Sequence, residues 1–317
     1  MRPILTITLN PALDLSTETG ALVADRKLRC TAPRLDPGGG GVNVSRAVLR
    51  LGGRSTAVVA LAGATGETIA GLLAREGIDV AALAVEGLTR QSIAITERET
   101  GRQYRFILPG PDWRQEATER LFEELDRRLE AGHLVVLSGS LPPGFDPALI
   151  ARLRDDLRAR RADLLLDLSG PALIRTVRDH GPAPFHLIRM DGDEAEELSG
   201  RRFTTPRDLV DFGRTLLDAG VAERVVMALG KQGTAGVSAE GAFFCTAPQV
   251  EAVSMVGAGD SLMGAVAQAL SGGAAFREAV RAGTAAAAAA VTTPATQLCD
   301  GALAQRLIEE VRLVDLD

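Results

Sequence analysis

Val256-Gly257-Ala258-Gly259-Asp260-Ser261 sets two glycines one residue apart, just ahead of apolar residues at helical spacing, Leu262, Val266, Ala269 and Leu270. That pattern predicts a tight turn opening a helix. The first N–H groups of a helix have no partner within it and stand at the positive end of its dipole, so the turn favours an anion. An acidic side chain, Asp260, occupies the same turn. A phosphate held by the backbone would then lie beside a carboxylate able to take a proton from a hydroxyl, as phosphoryl transfer to an alcohol requires. On these residues alone a plainer reading stands beside it, in which Asp260 only caps the N–H groups of its own helix.

Working outward, short apolar runs alternate with amphipathic ones. Ile4 to Leu9, Ala57 to Leu61, His133 to Leu137, Asp163 to Leu168, Phe185 to Ile188 and Arg224 to Leu229 read as buried strands. Glu67 to Glu76, Gln115 to Glu130, Pro147 to Arg161 and Pro206 to Ala219 read as helices between them. Strand then helix, repeated, implies right-handed crossovers and a mostly parallel sheet covered on both faces. Ligands in such sheets bind beyond the carboxyl ends of the strands. Ala282 to Val291, with consecutive alanines at 285 to 290, predicts a further helix able to pack closely on the one beginning near Gly259.

Two stretches depart from this rhythm with strict alternation. Lys27-Leu28-Arg29-Cys30-Thr31-Ala32 predicts a strand with basic and polar side chains on one face. Gln91 to Thr96, a turn with Glu99 and Gly101, and Gln103 to Leu108 predict a hairpin that gathers Tyr104, Phe106 and Leu108 opposite Arg105. Such strands make a small sheet whose apolar face needs a cover, and a second copy of the chain is the simplest one. The alternative is that they are edge strands of the main sheet. No repeat, low-complexity linker or charged tail marks a domain boundary, so residues 1–317 are expected to form one domain.

The 317 residues are 46% hydrophobic and 24% charged, and no apolar run reaches the roughly eighteen residues of a membrane span. The opening Met1 to Leu9 is too brief for a signal peptide, and three widely spaced cysteines fit neither a disulfide framework nor a zinc site, so a cytoplasmic setting is expected. A net charge of −6 without a basic block predicts no nucleic-acid partner, and the lack of a long apolar run predicts no membrane one. Among the loops, Gly38-Gly39-Gly40-Gly41 enters a helix and lets a ligand approach the backbone. It is no dinucleotide fingerprint, since Asn43 stands where the last glycine is required, and Gly230-Lys231-Gln232 is no P-loop. Ser138-Gly139-Ser140 offers two hydroxyls after a strand, with no histidine base spaced nearby; His133, His180 and His186 read as structural.

Four stretches, Asn10-Pro11-Ala12-Leu13-Asp14, Gly38 to Asn43, Ser138-Gly139-Ser140-Leu141-Pro142-Pro143-Gly144 and Val256 to Asp260, stand in the order and spacing of the ribokinase-like sugar kinases. Lys27 to Pro33, Thr89-Arg90-Gln91 and Gln103 to Phe106 resemble its phosphofructokinase-B branch (PfkB). The resemblance covers nearly the whole chain. It implies an α/β fold, a three-layer α/β/α sandwich with a small β-sheet lid from segments near 12–35 and 90–108, and a homodimer in which two lids clasp. It implies an ATP-dependent kinase using magnesium, and a monovalent cation, to phosphorylate a ketohexose phosphate. Fructose 6-phosphate is the expected substrate, with tagatose 6-phosphate and fructose 1-phosphate as alternatives.

Carried onto this chain, the resemblance makes Asp260 the base and Gly257, Ala258 and Gly259 the anion hole. Asp14, Gly39, Gly40 and Asn43 would hold the sugar, while Arg90, Ser140, Arg29 and Arg105 would gather its phosphate. Lys27 and Arg189 would approach the nucleotide phosphates, Gly230 and Gly233 would border the nucleotide, and Glu194 with Asp191 would attend the metal, directly or through water. Two departures touch the nucleotide side. Arg189-Met190-Asp191-Gly192-Asp193-Glu194 replaces the family's Lys-Pro-Asn-x-x-Glu, and Ala228 precedes Leu229-Gly230 where relatives carry Ser or Thr. They keep a second class in view, a sugar-phosphate-binding protein with weak or absent kinase activity.

Overall fold

The computed structural model describes residues 1–294 and 296–317. The chain opens with β1 (Ile4–Thr8), β2 (Ala12–Thr19), β3 (Arg34–Gly38), α1 (Gly40–Arg50), β4 (Thr56–Leu61), α2 (Gly63–Glu76), β5 (Asp79–Ala84), β6 (Arg90–Glu97) and β7 (Gln103–Ile107). Strict alternation follows with α3 (Gln115–Arg128), β8 (Leu134–Gly139), α4 (Ala148–Ala159), β9 (Asp163–Leu168), α5 (Pro171–Arg178) and β10 (Leu187–Asp191). The last third holds α6 (Gly192–Ser199), α7 (Pro206–Asp218), β11 (Arg224–Ala228), β12 (Gly233–Ser238), β13 (Gly241–Thr246), α8 (Ala258–Ser271), α9 (Phe276–Val291), α10 (Gly301–Leu307) and β14 (Leu313–Asp315).

Ten strands form one sheet in the order β14-β13-β12-β11-β10-β9-β8-β1-β4-β5. From β5 to β11 neighbours are parallel, and β12, β13 and β14 add an antiparallel edge. The parallel strands read as unbroken apolar runs because both faces are covered. Leu164 and Leu166 join one core with α3, α4, α5 and α7, and Leu165 between them joins a second with α1, α8, α9 and α10. The result is the expected α/β/α sandwich. The alanine-rich α9 lies close on α8, where a Cβ at Gly283 would come within 2.8 Å of Val266. No helix among the described residues is long and apolar enough to cross a membrane.

The alternating segments form a separate sheet, β3-β2-β6-β7, and are not edge strands of the main one. Leu35, Leu15, Ile93 and Phe106 stand opposite one another across its strands, with Ile95 opposite Tyr104 beside them. This apolar side leaves Phe106 49% and Tyr104 37% exposed. Asp14, Ser92 and, two residues before it on β6, Arg90 occupy the other face by the period of two.

Two predicted strands need correction. Lys27 to Ala32 forms no ladder; Asp25 turns into the left-handed region (φ 59°), and the segment meets β2 through one backbone bond, Thr31 N–H to Glu18 O at 2.9 Å, and threonine side chains such as Thr17 Oγ1, which donates to Thr31 O at 2.8 Å. β2 already pairs with β6 along its length and with β3 over Ala12 to Ser16, which leaves the alternating segment little edge to join. Near Phe185 the regular strand begins at Leu187, and Phe185 makes an isolated bridge with Ala222.

Candidate active site

A cleft of about 730 Å³ opens where β10 and β11 end and α8 begins. Arg189, Asp191, Gly230, Gly233, Gly259 and Asp260 supply polar and backbone surface, while Val250, Ala287, Ala288 and Val291 supply an apolar wall. A few converging polar groups beside apolar surface are the usual make-up of a small-molecule site.

The start of α8 is open toward an anion. Gly257 is its N-cap at φ 81°, and no side chain caps it. The first intrahelical bond is that of Ser261 N–H to Gly257 O, so the N–H groups of Gly259 and Asp260 precede the helical ladder. Asp260 does not close this end. Its Oδ2 accepts a hydrogen bond from Asn43 Nδ2 at 2.9 Å, an amide carried on α1. Burial, then the charge of Asp167, push the Asp260 carboxyl up to about 7, against the opposing pull of Asn43 and Arg189.

A buried ionic network backs the turn. Asp167, at the end of β9, accepts from Ser138 Oγ at 2.9 Å and from Arg189 Nη1 at 3.0 Å. The Arg189 guanidinium lies flat enough against the turn that a Cβ at Gly259 would come within 2.7 Å of its Nη2. Its Nε–H is buried with no partner among the described residues, a donor left over for an anion. Asp167 was not among the residues singled out from sequence. The signal was a charge near the end of an apolar strand, Leu164-Leu165-Leu166-Asp167-Leu168, where buried carboxylates are rare unless paired.

Asp191 and Glu194 meet in a capping box at the start of α6. Glu194 N–H donates to Asp191 Oδ1 and Asp191 N–H donates to Glu194 Oε2, each at 2.9 Å. Desolvation is the main cause of a Glu194 carboxyl raised to about 7, and the Asp191 charge adds to it. Among the described residues no cluster of three or more side chains could by itself hold a metal ion. The pair fits a cation that keeps phosphate and water oxygens as its other ligands, and such a cation would relieve the crowded charge.

On the opposite side, Asp14 packs on Gly38. Burial raises its pKa, with Ser92, Arg90 and Arg105 pulling the other way. Arg90 Nε donates to Asn10 O at 3.2 Å, and Asn10 Nδ2 donates to Ser140 Oγ at 3.1 Å, so Asn10 joins two predicted phosphate ligands. Gly39 (φ 119°) and Gly40 bring the start of α1 onto the end of β8, where a Cβ at residue 40 would come within 2.5 Å of Gly139 N. Lys27, Arg29 and Arg105 are exposed and form no ion pair among the described residues. The structure therefore gathers the base side and Asp14, Arg90 and Ser140, with Arg105 near enough for its charge to act on Asp14, while Lys27 and Arg29 stay exposed on the loop.

The pfkB family carbohydrate kinase model matches residues 8–302. The chain belongs to that family. As a member it is a sugar phosphotransferase, a class that uses ATP and a divalent metal. It is 38% identical over 296 residues to the ATP-dependent 6-phosphofructokinase isozyme 2 of Escherichia coli, covering 93% of this chain and 94% of that protein. Two crystal structures of Escherichia coli phosphofructokinase-2 resemble this family member throughout. The complex with potassium has a TM-score of 0.91 at 37% identity, over 98% of this chain and 99% of that one. The complex with fructose-6-phosphate has a TM-score of 0.89 at 36% identity, again over 98% and 99%.

Proposed function

We propose that the chain transfers the γ-phosphoryl group of ATP to the 1-hydroxyl of fructose 6-phosphate, giving fructose 1,6-bisphosphate and ADP. The observation that carries this reading is the Asp260 carboxylate, held by Asn43 beside an uncapped helix start and within a cleft that also contains Arg189. Asp260 takes the hydroxyl proton as that oxygen bonds to phosphorus. The N–H groups of the Gly257 to Gly259 turn and the Arg189 fork stabilise charge on the migrating group. Asp14, Gly39, Gly40 and Asn43 hold the sugar, and Arg90 and Ser140 gather its phosphate with Arg29 and Arg105. Gly230 and Gly233 border the nucleotide, and Lys27 swings toward its phosphates.

Asp191 and Glu194 are the residues to hold magnesium, which neutralises phosphate charge when bound. A monovalent cation site accords with the potassium complex of the similar Escherichia coli enzyme. Residues near 12–35 and 90–108 act as a lid on a single domain, and two lids meet through the apolar face in a homodimer. An assay coupled to ADP release, run across fructose 6-phosphate, tagatose 6-phosphate and fructose 1-phosphate, tests the reading. Fructose 6-phosphate is expected to give the highest kcat/KM. No ADP release with any of the three would leave a sugar-phosphate-binding protein.

A further inference from the structure

Arg46, on α1, is 2% exposed and lies outside the roles assigned above. So buried an arginine needs full pairing, and its fork divides the task between its two sides. Nε and Nη2 donate to the two carboxylate oxygens of Glu76 on α2, at 2.8 and 2.9 Å. Nη1 therefore faces inward. Its two hydrogens serve Thr296 O at 3.0 Å, Pro37 O on β3 at 3.3 Å and Asn43 Oδ1 at 3.5 Å. The last contact is long, and its weight lies in orientation. A guanidinium has donors only and a carboxylate has acceptors only. The Asn43 amide stands between one of each, with Oδ1 toward Arg46 and Nδ2 toward Asp260.

We propose that Arg46 is a positioning residue that holds the Asn43 amide with its NH₂ toward Asp260 and ties that orientation to Pro37 in the small sheet. Turned over, the amide would set its oxygen against the carboxylate and lose the bond. The inference deepens the base assignment and rests on it for its catalytic meaning. The hydrogen bond itself can be followed without catalysis. Asn43 and the charges of Asp167, Arg189 and Asp14 are the groups that act on Asp260, and substituting Arg46 or Glu76 deletes none of these residues.

The test is a carbon-13 titration of the Asp260 carboxyl, its signal identified by its absence in Asp260→Asn. Asn43→Ala is expected to raise the midpoint by about one pH unit, as loss of a hydrogen bond to a charged group does. Arg46→Met is expected to raise it by a substantial part of that, and Glu76→Gln in the same direction by less. The double variant Arg46→Met/Asn43→Ala should match Asn43→Ala alone. An unchanged midpoint in Arg46→Met would overturn the proposal. So would additive shifts in the double variant, because a through-space charge effect adds whereas positioning disappears with the amide. Should Arg46→Met not fold, Arg46→Lys decides instead: its single ammonium cannot span Glu76 and the amide, so a midpoint equal to wild type refutes the role. The acid limb of kcat/KM should move with the titration. Absence of turnover in the wild type would refute the kinase reading while the titration still decides Arg46.

Discussion

The start of α8 and the small sheet meet opposite fates within one chain. Around Asp260 the charged side chains are held by partners within the chain itself, from Asn43 on α1 to the Ser138, Asp167 and Arg189 network behind it. On β7 every residue is exposed, the apolar side chains Tyr104 and Phe106 stand uncovered, and Lys27, Arg29 and Arg105 form no ion pair among the described residues. One region is preorganised, with its charges fixed before substrate arrives. The other stands open, and in the proposed function the substrate's phosphate would complete its polar face and a second chain its apolar one.

The largest expected effect breaks the preorganised side. Asp260→Asn should lower turnover by about 10²- to 10⁴-fold, the range for loss of a general base, with little change in sugar-phosphate binding by calorimetry. Near-full turnover would remove Asp260 from that role. In the wild type kcat/KM should rise with pH through about 7 as the carboxylate forms. Stability should follow the opposite sign. The folded value, about 7, lies above the ordinary 3.8, so the folded chain holds the proton more tightly. Stability from this group is present at low pH and lost as pH rises through about 7, and Asp260→Asn escapes that loss in thermal melts.

A middle effect is expected on the unfinished side. Phe106→Arg places a charge on the apolar face opposite Ile93 and should convert the proposed homodimer into monomers by light scattering, leaving the melting temperature within a few degrees. The Michaelis constant for sugar phosphate should rise about tenfold, equivalent to one poorly placed phosphate contact. Unchanged mass and affinity would show that this face does not bring chains together.

The smallest effect sharpens the contrast at α6. Asparagine caps a helix as well as aspartate does, so Asp191→Asn should keep the fold. It removes a charge worth about 3 kcal/mol against a phosphate ~6 Å away at an effective dielectric constant near 20, before screening by a cation. Nucleotide without metal should therefore bind several-fold more tightly, and affinity should depend less steeply on free magnesium. Identical calorimetric titrations for the two proteins would place the Asp191 carboxylate in the cap alone.

Much of this molecule is legible before folding because it depends on neighbours in sequence. The parallel strands follow from apolar runs, the α8 turn from Gly257 and Gly259, and the two-faced β6 and β7 hairpin from period-two alternation. Lys27 to Ala32 has the same alternation yet forms no strand, since a strand also needs an open edge, and β2 offers little of one. Asp191 kept its helix-start role despite departing from the family's asparagine, because either side chain can accept the N–H of residue 194.

By itself, then, the order of residues determined the layered α/β architecture, the helix opening at Gly257 and the identity of Asp260 as the acid group in that turn. Period and turn chemistry act over a few residues and survive in any context that buries the apolar face. Tertiary structure alone decided what Asp260 faces. Asn43 lies 217 residues away in sequence, and Arg46 reaches Glu76 and Thr296 at separations of 30 and 250. Tertiary structure likewise chose Ser138 over Ser140 as the partner of Asp167, since of two hydroxyls two residues apart only one is carried to the neighbouring strand's carboxylate. Such pairings depend on strand order and helix placement. They set the charge state of the site through burial and proximity, neither of which a local pattern encodes.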